Sequence, residues 1–221
     1  METEFSEEHL KEIARQLSCP EGAMGLKTGE VMNINNIGMT TSAIEALSIA
    51  KNDIILEIGH GNAAHLADIL TSADNVTYFG ADISETIISA AEEINARYIA
   101  ENQASFHLTN GKNLPFGNES FDKIFTVNTL YFWGNPIQYL NEIKRVLKPT
   151  GLFVIAFADK KFMESLPFTK FGFELYEEKK AIALLDGAGF KIIKSIIKTE
   201  KVQSNAGNFV TRDYFTITAS H

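Results

Sequence analysis

One cysteine, Cys19, occurs in the 221 residues. It has no partner for an internal disulfide, and a thiolate metal site needs several such ligands. No group of His, Asp and Glu shows ligand spacing either, so no metal is expected. Basic residues are also scarce: 20 Lys and Arg stand against 28 Asp and Glu, a formal net charge of -8. Binding phosphates requires a basic face, so neither nucleic acid nor an anionic membrane is expected as the main partner. No apolar run approaches the ~18 residues of a membrane span. The acidic start, Met1-Glu2-Thr3-Glu4, has no apolar signal core, so a cytoplasmic setting is the expectation. Repeats and low-complexity tracts are absent. What is present is a hydrophobic fraction of 45%, ordinary for one globular domain with a decorated edge.

Strand and helix signals alternate along most of the chain. Residues 3–17 read as a helix with an apolar stripe of Phe5, Leu10, Ile13, Ala14 and Leu17. Residues 18–37 read as irregular, because Cys19-Pro20-Glu21-Gly22 and Lys27-Thr28-Gly29 are turn signals. Thr40 or Thr41 caps a helix through Ala50. Strands are expected over 53–58, Val76–Ala81, 104–109, Phe121–Val127 and Leu152–Ala158. Helices fall between them over Asn62–Leu70, Ser84–Ala100 and Pro136–Leu147, the last stopped by Lys148-Pro149-Thr150-Gly151. Residues 159–175 break the rhythm with an aromatic-rich insert. A helix over 176–188 and strands over 190–198 and 208–218, with a turn near Asn205-Ala206-Gly207, close the chain. The pattern predicts an α/β fold: a mostly parallel sheet with an antiparallel edge and helices on both faces. It divides as an N-terminal helical cap or lid over 1–40 and a main domain over 41–221 carrying the substrate-side insert at 159–175.

Residues 54–65, Ile-Ile-Leu-Glu-Ile-Gly-His-Gly-Asn-Ala-Ala-His, are the most informative. An apolar strand runs into Glu57, then a tight Gly59-x-Gly61 turn, then a helix expected from Asn62. Glycine there lets a ligand approach the backbone. Such a turn at the carboxyl end of a strand is where open α/β sheets bind nucleotides. Glu57 opposes a pyrophosphate at the helix N-terminus and suits a ligand bearing an ammonium and a sulfonium. That favours S-adenosylmethionine over a nicotinamide dinucleotide.

Asp82 lies 23 residues after Gly59, at the end of the second strand. A carboxylate there can accept from both hydroxyls of a ribose. The alternative is a helix start, since Asp82-Ile83-Ser84-Glu85 is good capping sequence. After the third strand, Asn110 or the backbone of Gly111 and Lys112 could read an adenine edge, with Ile83 on the ring; the alternative is a plain turn dipeptide at Asn110-Gly111. Val127-Asn128-Thr129-Leu130-Tyr131-Phe132-Trp133 follows the fourth strand, beside the glycine turn. Its side chains should border the reacting group, or Phe132 and Trp133 only pack the next helix. Asp122 is expected to fix the start of the fourth strand.

These motifs occur in a telling order: Glu57-Ile-Gly-His-Gly-Asn62, Gly80-Ala-Asp82-Ile-Ser84, Asn113-Leu-Pro-Phe116, Ser120-Phe-Asp122, Glu142 through Lys148-Pro149-Thr-Gly151, and Leu185-Asp-Gly-Ala-Gly-Phe190. Over roughly 50–200 the chain resembles the class I S-adenosylmethionine-dependent methyltransferases, in the small-molecule branch similar to ubiquinone/menaquinone-biosynthesis methyltransferases. The resemblance implies a Rossmann-like seven-stranded sheet, order 3-2-1-4-5-7-6, with strand 7 antiparallel. It implies that Glu57, Gly59 and Gly61 cradle the methionine part, with Asn62 in the same turn. Asp82 would take the ribose hydroxyls, Asn110 with Gly111 the adenine, and Asn128 would close the site near the methyl group. Two departures stand out: Ala63 replaces the family's third glycine, and Asn110 replaces a frequent aspartate.

The implied activity is in-line methyl transfer to a small apolar or aromatic acceptor, with release of S-adenosylhomocysteine. Much of its rate can come from alignment. A base is needed only for an acceptor that carries a proton at reaction pH. Tyr131, His60 and His65 are the candidates, and none is assigned. Asn128-x-x-Tyr131 has the spacing of amino-group methyltransferases without their two prolines, so no N-methyl acceptor is inferred. Acceptor selection is expected from Met32, Asn36, Tyr131, Trp133, Phe162 and Phe168. The competing readings are an NAD(P)-dependent oxidoreductase on a Rossmann sheet and a non-catalytic S-adenosylmethionine-binding protein. The molecule is expected to be a monomer or homodimer.

Overall fold

The computed structural model describes residues 5–203 and 209–221. The chain begins with two helices, α1 (Glu7–Ser18) and α2 (Gly22–Leu47). Ser6 caps α1 by accepting from His9 N at 3.2 Å, and Glu7 and Glu8 complement the helix N-terminus. Then come β1 (Ile54–Ile58), α3 (Leu66–Leu70), β2 (Thr77–Asp82), α4 (Glu85–Ile94), α5 (Ala96–Ala100) and β3 (Ala104–Leu108). β4 (Phe121–Val127), α6 (Pro136–Val146), β5 (Leu147–Ala158) and the short α7 (Lys160–Met163) follow. The chain ends with α8 (Glu178–Gly187), β6 (Lys191–Gln203) and β7 (Phe209–Ser220).

The seven strands order as β3-β2-β1-β4-β5-β7-β6. β7 runs antiparallel to both β5 and β6, and the other pairs are parallel. This is the expected sheet. Its central strands are apolar on both faces because helices cover both; Ile55, Leu56, Ile124, Phe125, Phe153 and Val154 are fully buried. Strand order reverses between β1 and β4, so a crevice opens at their carboxyl ends. Asp122 fastens the start of β4: its Oδ2 accepts from Ile54 N at 3.0 Å, and Lys148 Nζ lies 2.8 Å from both carboxylate oxygens.

The largest departure from the sequence reading is α2. Only Cys19, Pro20 and Glu21 of the stretch 18–37 are irregular, and Thr40 and Thr41 cap nothing; one helix of 26 residues runs from Gly22 to Leu47. A domain boundary at residue 40 would cut that helix. Three of its glycines are packing contacts, among them Gly29 of the expected Lys27-Thr28-Gly29 turn. A Cβ on Gly25 would lie 2.6 Å from the carbonyl carbon of Pro20, and one on Gly29 would lie 2.8 Å from Ile87 Cδ1. At Gly38 a Cβ would run into the Glu200 carboxylate. Each glycine costs ~1 kcal/mol of helix propensity, which close docking offsets. Gly25→Ala is therefore expected to lower the thermal midpoint, although the same change in an exposed helix raises it. A higher midpoint would mean that the Pro20 contact does not decide.

Smaller differences have local causes. The helix expected from Asn62 begins at Leu66, because residues 60–65 form turns around the site. The helix expected over 84–100 breaks at Asn95, whose Nδ2 donates to Ala91 O at 2.9 Å and Ala63 O at 3.2 Å. β5 starts at Leu147, which pairs with Phe121, so Lys148-Pro149-Thr150-Gly151 belongs to the strand. The turn expected at Asn205-Ala206-Gly207 lies outside the described residues.

Candidate active site

A cleft of about 1030 Å³, counting its open mouth, sits at the carboxyl ends of β1, β2 and β4. The turn after β1 forms its floor. Gly59 holds φ +72° and donates its N–H to Ala81 O at 2.8 Å. Gly61 holds φ +55°, with nothing within 4 Å of where a Cβ would stand. That open space beside the backbone is what a bound ligand needs. Ala63, in place of a third glycine, takes φ +48° and is fully buried.

Glu57 lines the cleft but is mostly turned inward. Its Oε2 accepts from the Tyr78 hydroxyl at 2.6 Å and lies 2.8 Å from His65 Nε2. Burial lowers the His65 pKa, but Glu57 outweighs it and the net shift is upward. Burial, reinforced by Glu57, also raises the Tyr78 hydroxyl. His65 Nε2 is thus turned to Glu57 and is not a base directed at an acceptor. One nitrogen of His60 is also committed and the other is buried. Its Nδ1 donates to Gly61 O at 2.6 Å, its ring lies against Phe106, and Nε2 is buried without a partner among the described residues. Burial pulls its pKa down to about 4, against the opposing pull of Glu57 and Gly61 O. It stays neutral at neutral pH.

Asp82, at the end of β2, accepts from Ser84 N at 2.9 Å on Oδ1. Burial raises its pKa to about 6, against the N–H groups of Ser84, Ile83 and Gly61 that favour the ionised form. Ile83 beside it is 40% exposed, an apolar surface facing the cleft. The helix-start role belongs to Ser84, whose Oγ accepts from Ile87 N at 3.1 Å. The Asp82 carboxylate lines the cleft.

The loop after β3 departs from the expectation for an adenine reader. Asn110 Oδ1 accepts from Lys112 N at 3.0 Å and Asn113 N at 2.9 Å, so its side chain closes the turn. Neither Asn110 nor Lys112 lines the cleft; Thr109 and Gly111 do. Gly111 holds φ +68°, and a Cβ there would touch Ile83 Cγ2 at 3.5 Å.

On the opposite side stand Asn128, Phe132 and Trp133, with Met32 and Asn36 of α2. Asn128 holds φ +58°; its Oδ1 accepts from the Tyr131 hydroxyl at 2.9 Å and Ala158 N at 3.2 Å. The Tyr131 hydroxyl also accepts from Ala158 N at 2.7 Å, and burial raises its pKa. Tyr131 is 3% exposed and does not line the cleft, so it is neither base nor acceptor contact but a brace for Asn128. Phe162 and Phe168 do not line it either. Phe168 packs on Phe173, which packs on Phe132, one layer behind the wall. Phe162 lies under the Arg212 guanidinium. Trp133 both lines the cleft and packs edge-on against Tyr139 of α6.

Several lining residues carry no strong local signal. Leu17, Ser18 and Pro20 come from the α1–α2 junction, Thr40 from α2 and Tyr139 from α6. Pro20 reads only as a turn residue in sequence. Only Thr109, one position before Asn110, was within reach of the motif. Among the described residues, no cluster of His, Cys, Asp and Glu could hold a metal, and no helix is long and apolar enough to cross a membrane.

The family model described as "Methyltransferase domain" matches residues 56–155, which hold the glycine turn, Asp82 and Asn128. An uncharacterized methyltransferase of Bacillus subtilis, YdaC, is 28% identical over 169 residues, 75% of this chain and 91% of that protein. Demethylmenaquinone methyltransferase of Tropheryma whipplei is 32% identical over 114 residues, 52% of this chain and 45% of its own length. A crystal structure of a SAM-dependent methyltransferase from Aquifex aeolicus shares the fold with a TM-score of 0.64 at 17% identity, covering 95% of this chain and 97% of that one. The matched domain, the relatives and the shared fold support a class I S-adenosylmethionine-dependent methyltransferase and imply S-adenosylmethionine as its cofactor.

Proposed function

We propose that this protein transfers a methyl group from S-adenosylmethionine to a small apolar or aromatic acceptor bound under α2. The observation that carries the reading is the juxtaposition, in one cleft, of the open Gly61 backbone, the Asp82 carboxylate and the exposed Ile83 side chain. Asp82 would accept from the ribose hydroxyls, Ile83 and Gly111 would border the adenine, and the Glu57–Gly61 turn would hold the methionine part. When bound, the cofactor supplies an activated methyl group on a positively charged sulfur.

The chain's own contribution is alignment and exclusion of water. α2 covers the cleft with Met32, Asn33 and Asn36, while Phe132 and Trp133 wall the far side. The first two helices act together as a cover, and residues 159–175 stiffen the wall through Phe173. Among the described residues no lining side chain is placed as a base toward an acceptor, since Glu57 pairs with His65 and the lone-pair nitrogen of His60, Nε2, is buried.

Calorimetric titration of S-adenosylmethionine and S-adenosylhomocysteine, with NADH and NADPH alongside, tests this reading. Micromolar binding of the sulfur compounds alone is the expected result. Binding of a nicotinamide instead, or of nothing, would sink it.

A further inference from the structure

Asn36 Oδ1 accepts from Asn128 Nδ2 at 3.1 Å and from Arg212 Nη1 at 3.4 Å. A guanidinium only donates, so the amide oxygen of Asn36 must be the atom that turns to Arg212. Asn128 is oriented by the same logic. Its Oδ1 faces the backbone N–H of Ala158, which leaves Nδ2 for Asn36. Arg212 is 6% exposed and cannot wander: Nη2 donates to Glu200 Oε1 and to Asn35 O, both at 2.6 Å. The sidedness of Asn36 is therefore set by three elements: α2, the loop after β4, and β7.

The consequence lies on the other side of the amide. Asn36 Nδ2 carries two hydrogens that find no partner among the described residues, on a residue that lines the cleft. The Trp133 indole N–H is a second donor-only group on the lining without a partner among the described residues. Among the described residues no lysine or arginine lines the cleft, Glu57 and His65 hold each other, the lone pair of His60 is on the buried Nε2, and Asp82 lies on the ribose side of the reading above. The acceptor side thus offers hydrogen-bond donors and no base.

We propose that Asn36 Nδ2 holds an anionic oxygen of the methyl acceptor, and that the acceptor is an oxygen acid methylated as its anion. This rests on the methyl-transfer reading above. A carboxylate, acidic phenolate or enolate oxygen forms the new O–C bond; the C–S bond breaks and its electron pair stays on sulfur. Anion and sulfonium are both neutralised, no proton moves, and no base is required. Charge annihilation is favoured next to the apolar side chains of Met32, Val127 and Phe132 once the bound ligands displace water. An alkylamine at neutral pH is a cation without a lone pair, and its charge opposes the sulfonium. A neutral alcohol would need the base that is missing.

The test uses the full chain, S-adenosylmethionine and a probe panel of benzoate, phenylacetate, 4-nitrophenol, benzylamine and benzyl alcohol, with release of S-adenosylhomocysteine as readout. N36D keeps an oxygen for Arg212 and Asn128 but replaces the donor with a negative charge; N36L removes both. Methylation confined to the acidic probes is expected, with KM raised about ten- to a hundredfold in both variants. S-adenosylhomocysteine titrated into N36D confirms that the cofactor site stands. Methylation of the amine or the alcohol, methylation of no acid, or an unchanged KM in N36D would each overturn the proposal. Failure of the wild-type chain to bind S-adenosylhomocysteine would instead overturn the methyl-transfer reading beneath it.

Discussion

Asp82→Ala is expected to weaken S-adenosylhomocysteine binding about a hundredfold. A hydrogen bond to a charged group contributes about 1.5–3 kcal/mol, and the proposed ribose contact has two donors on one carboxylate. The site strengthens the effect. Asp82 is already desolvated, with its pKa raised from the ordinary 3.8 to about 6 by burial, so its charge is poorly served until a ligand brings donors. The same feature makes binding pH-dependent. Ligand hydroxyls favour the ionised form, so affinity is full above about pH 6 and falls about tenfold for each unit below it. Stability runs the other way. Between 3.8 and about 6 the folded chain keeps a proton that the unfolded chain has released. Stability therefore falls as pH rises through that window and is flat above it. Titrations at pH 5 and pH 7.5, with Asp82→Asn alongside, separate the two effects. The asparagine variant should bind weakly and equally at both values. A wild-type affinity that ignores pH would show that Asp82 does not carry the contact.

Gly59→Ala is expected to destabilise the fold by about 2–5 kcal/mol, a large share of the ~5–15 kcal/mol of a typical domain. Two costs add. Gly59 sits at φ +72°, where an L side chain costs about 1–2 kcal/mol. A Cβ there also meets Thr129 Cγ2 at a separation no real pair of atoms adopts, and overpacking costs about 1–3 kcal/mol. Thr129 cannot swing aside cheaply. Its Oγ1 lies 2.5 Å from Thr126 Oγ1, which donates to Ile58 O at 2.7 Å. The double variant Gly59→Ala/Thr129→Ser removes the methyl and keeps the hydroxyl, so it should recover the packing part and leave the backbone part. Urea midpoints of the single and double variants measure the split. No recovery in the double variant would place the whole cost in the backbone.

The sheet was legible because its signals are local. β1, β2, β4 and β5 are apolar runs ended by turn chemistry, and Ser84 and Pro136 mark helix starts that the structure keeps. The glycine turn and Asp82 were legible for a related reason: each lies at a strand end, so the order of strands places them in one crevice. Asn110 misled, since an Asn-Gly pair serves a turn as well as a ligand, and here Lys112 N and Asn113 N claim its oxygen. Tyr131, Phe162 and Phe168 misled because aromatic residues near a site read alike whether they line it or stand one layer behind. α2 was missed for the opposite reason. Its glycines argue against a helix in isolation, and only Pro20, Ile87 and Glu200 explain them.

By itself, the sequence determined the strand order's raw material, the turn after β1 and the carboxylates beside it, because hydrophobic period, turn residues and strand ends are properties of neighbouring positions. The tertiary structure alone decided which polar groups remain free. Glu57 loses an oxygen to Tyr78 and His65, one nitrogen of His60 goes to Gly61, and the amide oxygen of Asn36 is claimed by Asn128 and by Arg212, 176 positions away. Hydrogen-bond capacity is finite for each atom, and who claims it depends on elements far apart in the chain that packing brings within 3.5 Å of one another.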